Sequence, residues 1–65
     1  MSGRGEGGTR EALLRAGTEL FAERGFDGAT VQQITGLAGV NKAAINYHFG
    51  GKQGLYTAIL RRTFT

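Results

Sequence analysis

The chain has no cysteine, a single histidine and, beyond Asp27, no acidic residue. The first absence excludes a disulfide framework and thiolate metal sites, and His48 alone cannot form a zinc cluster, so no metal or other cofactor is expected. The lack of acids after Asp27 leaves His48 without a carboxylate near it in the sequence to complete an acid-base pair, which argues against an enzyme. No apolar run approaches the roughly 20 residues that span a bilayer, and the N-terminus lacks the apolar core of a secretory signal. A soluble, cytoplasmic protein is the default expectation.

What is present is a short chain with an uneven charge. Its 65 residues make at most one small domain, which buries proportionally less surface than a larger one. Residues 1–27 carry four arginines and five acids, a balance of −1, whereas residues 28–65 carry only Lys42, Lys52, Arg61 and Arg62, a balance of +4. A one-signed surface suits a polyanion, either nucleic acid or an anionic membrane; the competing reading is an ordinary solvated face.

MSGRGEGG, with four glycines in eight residues, cannot bury enough apolar surface to offset its ordering entropy, so residues 1–8 are expected to form a flexible arm. Arg4 on that arm could enter a DNA groove or simply trail in solvent. Four helices are then expected, over about 9–25, 30–38, 41–49 and 52–64, with no strand signal. In the first, Thr9 suits an N-cap, Leu13, Ala16, Leu20 and Phe21 form an inner stripe, and Gly25 is the stop, with Phe26 folded back beneath it. The second opens with a capping box from Thr30 to Gln33, and Val31, Ile34, Leu37 and Ala38 supply its inner face. Asn41 suits the N-cap of the third. In the fourth, Leu55 with Ile59, and Tyr56 with Leu60 and Phe64, give two apolar rows, more than three short helices can cover.

The stretch AGVNKAAINYHFGGK, residues 38–52, carries the functional signal. A helix, a glycine-containing turn of about four residues and a second, very short helix have the dimensions of a helix-turn-helix, whose second helix enters the DNA major groove. At about 100° per residue, Ile45 and Phe49 point into the core while Ala43 and Tyr47 point outward, with Ala44 and Asn46 on the shoulders and Lys42 at the N-terminal edge. Small Ala43 and Ala44 let a backbone approach base edges, and their methyls can touch a thymine methyl. Asn46 can present a bidentate amide to adenine, and Lys42 can reach guanine or a phosphate. Tyr47 and His48 offer donors to phosphates, and Lys52 would add its charge to free N–H groups at the start of the fourth helix. Each residue has a plainer alternative. The alanines are good helix formers, His48 could be a core-edge imidazole bonded to a carbonyl, and Tyr47 could pack on a neighbouring helix.

Together, LFAERGFDGATVQQI and LAGVNKAAINYHFGGKQGLY, in order from Leu20 to Tyr56, resemble the N-terminal DNA-binding domain of the tetracycline-repressor (TetR) family of bacterial transcription regulators. The resemblance implies an all-α, homeodomain-like three-helix domain followed by the start of a fourth, linking helix. It also implies a C-terminal domain, absent from this chain, that dimerises and binds a small-molecule inducer. By position, Thr30, Val31 and Gln32 would approach the DNA, with Gln32 touching a base. Lys42, Ala43 and Ala44 would read bases, and Asn46, Tyr47, His48 and Lys52 would hold the backbone and, at some positions, bases. Three residues depart from the family pattern: Asn46 replaces a usual tyrosine, Thr35 a usual alanine, and Gly51 the usual polar cap of the fourth helix.

The function expected is sequence-specific binding of double-stranded DNA by a ligand-responsive repressor in the bacterial cytoplasm, at the nucleoid. The full-length homodimer would read a near-palindromic operator, and this chain alone would be monomeric. The competing expectation is a helical interaction module that docks a partner on the surplus apolar row of the fourth helix.

Overall fold

A computed structural model describes residues 7–64, so the proposed role of Arg4 lies outside the described residues. Four helices follow one another: α1 (Gly7–Gly28), α2 (Val31–Ala38), α3 (Ala43–Phe49) and α4 (Lys52–Phe64). The fold is all-α, with no strand among the described residues. α1 lies between α2 and α4, and α3 rests mainly on α4.

Helix starts and stops follow local chemistry. α1 begins at Gly7, so Thr9 lies inside the helix instead of capping it, and the last two residues of the expected arm are helical. Gly25 is the expected stop: at φ 78° and ψ 170° it breaks the helical path, and a further turn runs on to Gly28. That left-handed φ is open to glycine and costly for other residues. The capping box of α2 is formed in full, with the Thr30 N–H donating to Gln33 Oε1 and the Gln33 N–H donating to Thr30 Oγ1, each at 3.1 Å. At α3 the cap is displaced. Lys42 occupies the cap position in a helical conformation, while Asn41 accepts the Ala43 N–H on its side chain at 2.9 Å and the Ala44 N–H on its carbonyl at 3.0 Å.

The core is built from Leu13, Leu14, Ala16, Leu20 and Phe21 of α1, Ala29 from the connection, Ile34 of α2, Ile45 of α3, and Leu55 and Ile59 of α4. Leu14 was not expected inside. It is buried because α1 is covered on two sides, so a single stripe does not describe it. Gly17 makes the α1–α4 approach close, since a Cβ there would lie 2.9 Å from Ile59 Cδ1 and 3.0 Å from Leu55 Cδ2. Leu37, expected inside, is 54 % exposed, and Thr35 is buried in its stead. The buried seam of α2 runs through Val31, Ile34, Thr35 and Ala38, which leaves Leu37 on the outer shoulder. Thr35 tolerates burial because its hydroxyl donates back to the carbonyls of Val31, at 3.0 Å, and Gln32, at 3.3 Å.

Phe21, Phe26 and Tyr56 form an aromatic cluster with centroids 5.0–5.8 Å apart, which holds Phe26 beneath the end of α1. Beyond Tyr56 its row runs out of cover: Leu60 is exposed, and Phe64 is 82 % exposed.

Two stability effects follow from this arrangement. Gly36 sits inside α2 with helical backbone and nothing within 4 Å of the position a Cβ would take. Gly36→Ala is therefore expected to stabilise the domain by roughly 0.5–1 kcal/mol in urea melts, through the lower backbone entropy of its unfolded state. The second effect depends on pH. Arg62 donates to Glu11 at 2.7 Å, joining the first turns of α1 to the last turn of α4. That hydrogen bond, with the charges of Arg62, Arg15 and Arg10, holds the Glu11 carboxyl below its ordinary value, against a smaller opposing effect of burial. Because the folded-state value is depressed, the stabilisation is complete above the ordinary carboxylate range. It is lost as pH falls through the lowered value. Solvent screens the pair, so the effect is small. Melting temperatures of the wild type and Glu11→Gln should converge in acid and separate, with the wild type higher, near neutrality.

Candidate nucleic-acid interface

α3 has only seven residues, and one buried side chain, Ile45, anchors it. Ile45 is 1 % exposed, whereas Tyr47, on the opposite side of the helix, is 84 % exposed. Lys42, Ala43 and Asn46 are exposed as well, so the outer side of α3 presents an ammonium, a methyl, an amide and a phenol to solvent. The Asn46 carbonyl accepts the N–H of Gly50, whose left-handed conformation ends the helix.

Not every residue singled out in the sequence faces outward equally. Ala44 is half-buried and packs against the core, which restricts it to a shoulder contact, and Val31 likewise leans inward. Thr30 and Gln32 are exposed at the start of α2. The Thr30 oxygen accepts the Gln33 N–H, which leaves its hydroxyl proton free for an outside acceptor. His48 is half-buried, with its ring edge-on to Tyr47 at 4.9 Å and tilted against Phe49 at 6.3 Å. The Tyr47 ring is largely exposed and meets the His48 ring edge-on.

Lys52 differs most from expectation. Its ammonium is not held out beside the first N–H groups of α4. It turns inward and donates to the carbonyls of Phe26, at 2.8 Å, and Ala29, at 3.1 Å, while lying 4.3 Å from the centroid of the Phe26 ring. A residue that sequence reasoning missed stands at the C-terminal end of α3: the Arg10 guanidinium lies 5.1 Å over the Phe49 ring. No local pattern signals this contact, because Arg10 and Phe49 meet only through the packing of α1 beside α3. Arg10 is exposed, so it adds positive charge beside Phe49 at the end of α3.

The described helix-turn-helix matches the family model for bacterial regulatory proteins of the tetR family over residues 13–59. The chain belongs to that family. It is 42 % identical over 53 residues to the HTH-type transcriptional regulator RutR of Escherichia coli K12, which covers 82 % of this chain and 25 % of that protein. It is 38 % identical over 53 residues to the HTH-type transcriptional repressor AcnR of Corynebacterium glutamicum, covering 82 % of this chain and 28 % of the repressor. Among solved structures, a linker-substituted mutant of HlyIIR superposes with a TM-score of 0.81 and 38 % identity, over 85 % of this chain and 30 % of that one. The chain thus spans about a quarter of the length of these curated tetR-family relatives. No helix among the described residues is long and apolar enough to cross a membrane.

Proposed function

We propose that this chain is the DNA-reading end of a tetR-family transcription regulator, a ligand-responsive repressor, with α3 lying in the major groove of double-stranded DNA. The observation that carries the proposal is the opposition of Ile45 and Tyr47: the short helix is pinned by one inward side chain and presents small and polar groups outward. Lys42, Ala43 and Asn46 read base edges, with Ala44 at the shoulder and Gln32 reaching from the start of α2. Thr30, Tyr47, His48 and Arg10 hold phosphates, and Val31 contributes through its position in the first turn of α2. No catalytic role is assigned to any residue, and the relatives named above are a regulator and a repressor.

Two such domains on a homodimer would read a near-palindromic operator, with half-sites separated by whole helical turns. A dimerising, inducer-binding part of the protein would cover the exposed Leu60 and Phe64. The protein would act in the cytoplasm, at the nucleoid. A titration of the isotopically labelled chain with duplex DNA at two salt concentrations tests the assignment. Amide shifts should concentrate on residues 30–33 and 41–49 and shrink as salt rises, because phosphate neutralisation releases counterions. Shifts confined to the middle of α1 would overturn it.

A further inference from the structure

We infer that Lys52 is a positioning residue for DNA reading, holding the start of α2 against the α3–α4 junction, and not a phosphate ligand; the inference rests on the DNA-reading function proposed above. The hydrogen bonding around Lys52 argues for it. In an uninterrupted helix the Phe26 carbonyl would accept the Thr30 N–H, and the Ala29 carbonyl would accept the Gln33 N–H. Both donors are committed to the capping box of α2. The Lys52 ammonium serves the two carbonyls in their place, at 2.8 and 3.1 Å. Two of the three ammonium N–H groups go to these carbonyls, and the nitrogen lies 4.3 Å from the centroid of the Phe26 ring, so turning toward a phosphate would cost contacts already made.

The consequence is mechanical. Lys52 is the first residue of α4 and follows directly on the glycine pair that ends α3. Its bonds reach both ends of the segment Phe26–Ala29, which delivers Thr30 to the start of α2. One half-buried cation therefore sets how the first turn of α2 stands relative to the end of α3, the two places where the proposed phosphate and base contacts converge.

The test uses the chain and its Lys52→Met variant, a side chain of similar reach with no charge or donor. A duplex selected by the wild-type chain from a randomised pool is compared with an unrelated duplex of equal length, well below each protein's melting temperature. The variant should lose about tenfold or more of its preference for the selected duplex, the size of one misplaced base contact. Its affinity for the unrelated duplex and the salt dependence of that affinity should not change. In the free variant the amides of residues 26–31 should shift. A fall of about 0.9 in the salt slope on the unrelated duplex, the amount due to one lost phosphate contact, would overturn the inference. Should the variant not fold, the ammonium resonance of wild-type Lys52 decides: it should stay unchanged when duplex is added, and movement on binding would overturn the inference. Failure of the wild-type chain to select any duplex would instead remove the DNA-reading function itself, and that outcome is read before any variant is made.

Discussion

Ile45→Ala is expected to lower the stability of the domain by about 2–5 kcal/mol, the cost of emptying a fully buried aliphatic site. Ile45 is the single buried residue of α3, and a helix of seven residues has no stability of its own in water. At roughly 0.05–0.15 kcal/mol per residue, a chain of this size holds only about 3–10 kcal/mol in total. The substitution therefore removes about a fifth or more of what is available and detaches α3 first, since its other inward residues, Ala44 and Phe49, are only partly covered. Urea denaturation should show a midpoint shifted far down, or no folded baseline at all. Tyr47→Ala, two positions along, should leave the midpoint unmoved, because the tyrosine ring is exposed. Equal destabilisation by the two substitutions would mean that α3 is not oriented as described.

The contrast between these neighbours was legible in the sequence, and the reason is local. Within one short helix, about 100° per residue decides which side chains share a face, and nothing distant intervenes. The Thr30–Gln33 capping box was legible for the same reason, being a contact across three residues. Leu37 was misplaced because hydrophobicity alone ranks leucine inside. The seam of α2 is set by where α1 lies, and threonine can enter it once its hydroxyl bonds back to Val31 and Gln32. Lys52 and Arg10 were beyond local reasoning altogether. The ammonium of Lys52 meets carbonyls more than twenty residues earlier in the chain, and Arg10 meets a ring on a helix it does not adjoin in sequence. Charge composition marked Lys52 as a candidate for a polyanion and passed over Arg10; packing engages Lys52 with the protein's own backbone and leaves Arg10 at the surface.

Asn46→Ala should change what the domain reads without changing how well it folds. The Asn46 side chain is exposed, and its amide has no intramolecular hydrogen bond among the described residues, so truncation removes nothing that holds α3 in place. Family resemblance puts a tyrosine here as a rule, and a phenol on this shoulder can donate only to a single acceptor. A carboxamide, with a donor and an acceptor side by side, matches the N7 and N6 edge of adenine. Such a bidentate pair discriminates by about 1–3 kcal/mol, roughly one to two orders of magnitude in affinity. Duplexes selected from a randomised pool by the wild-type chain should therefore carry one adenine whose preference disappears when Asn46→Ala makes the selection, while the other preferred positions persist. Affinity for unrelated DNA should stay level, since phosphates, not Asn46, supply it. If the variant instead selects the same bases at every position and loses affinity uniformly, Asn46 holds the backbone as the usual tyrosine would, and the base-reading face narrows to Lys42, Ala43 and the start of α2.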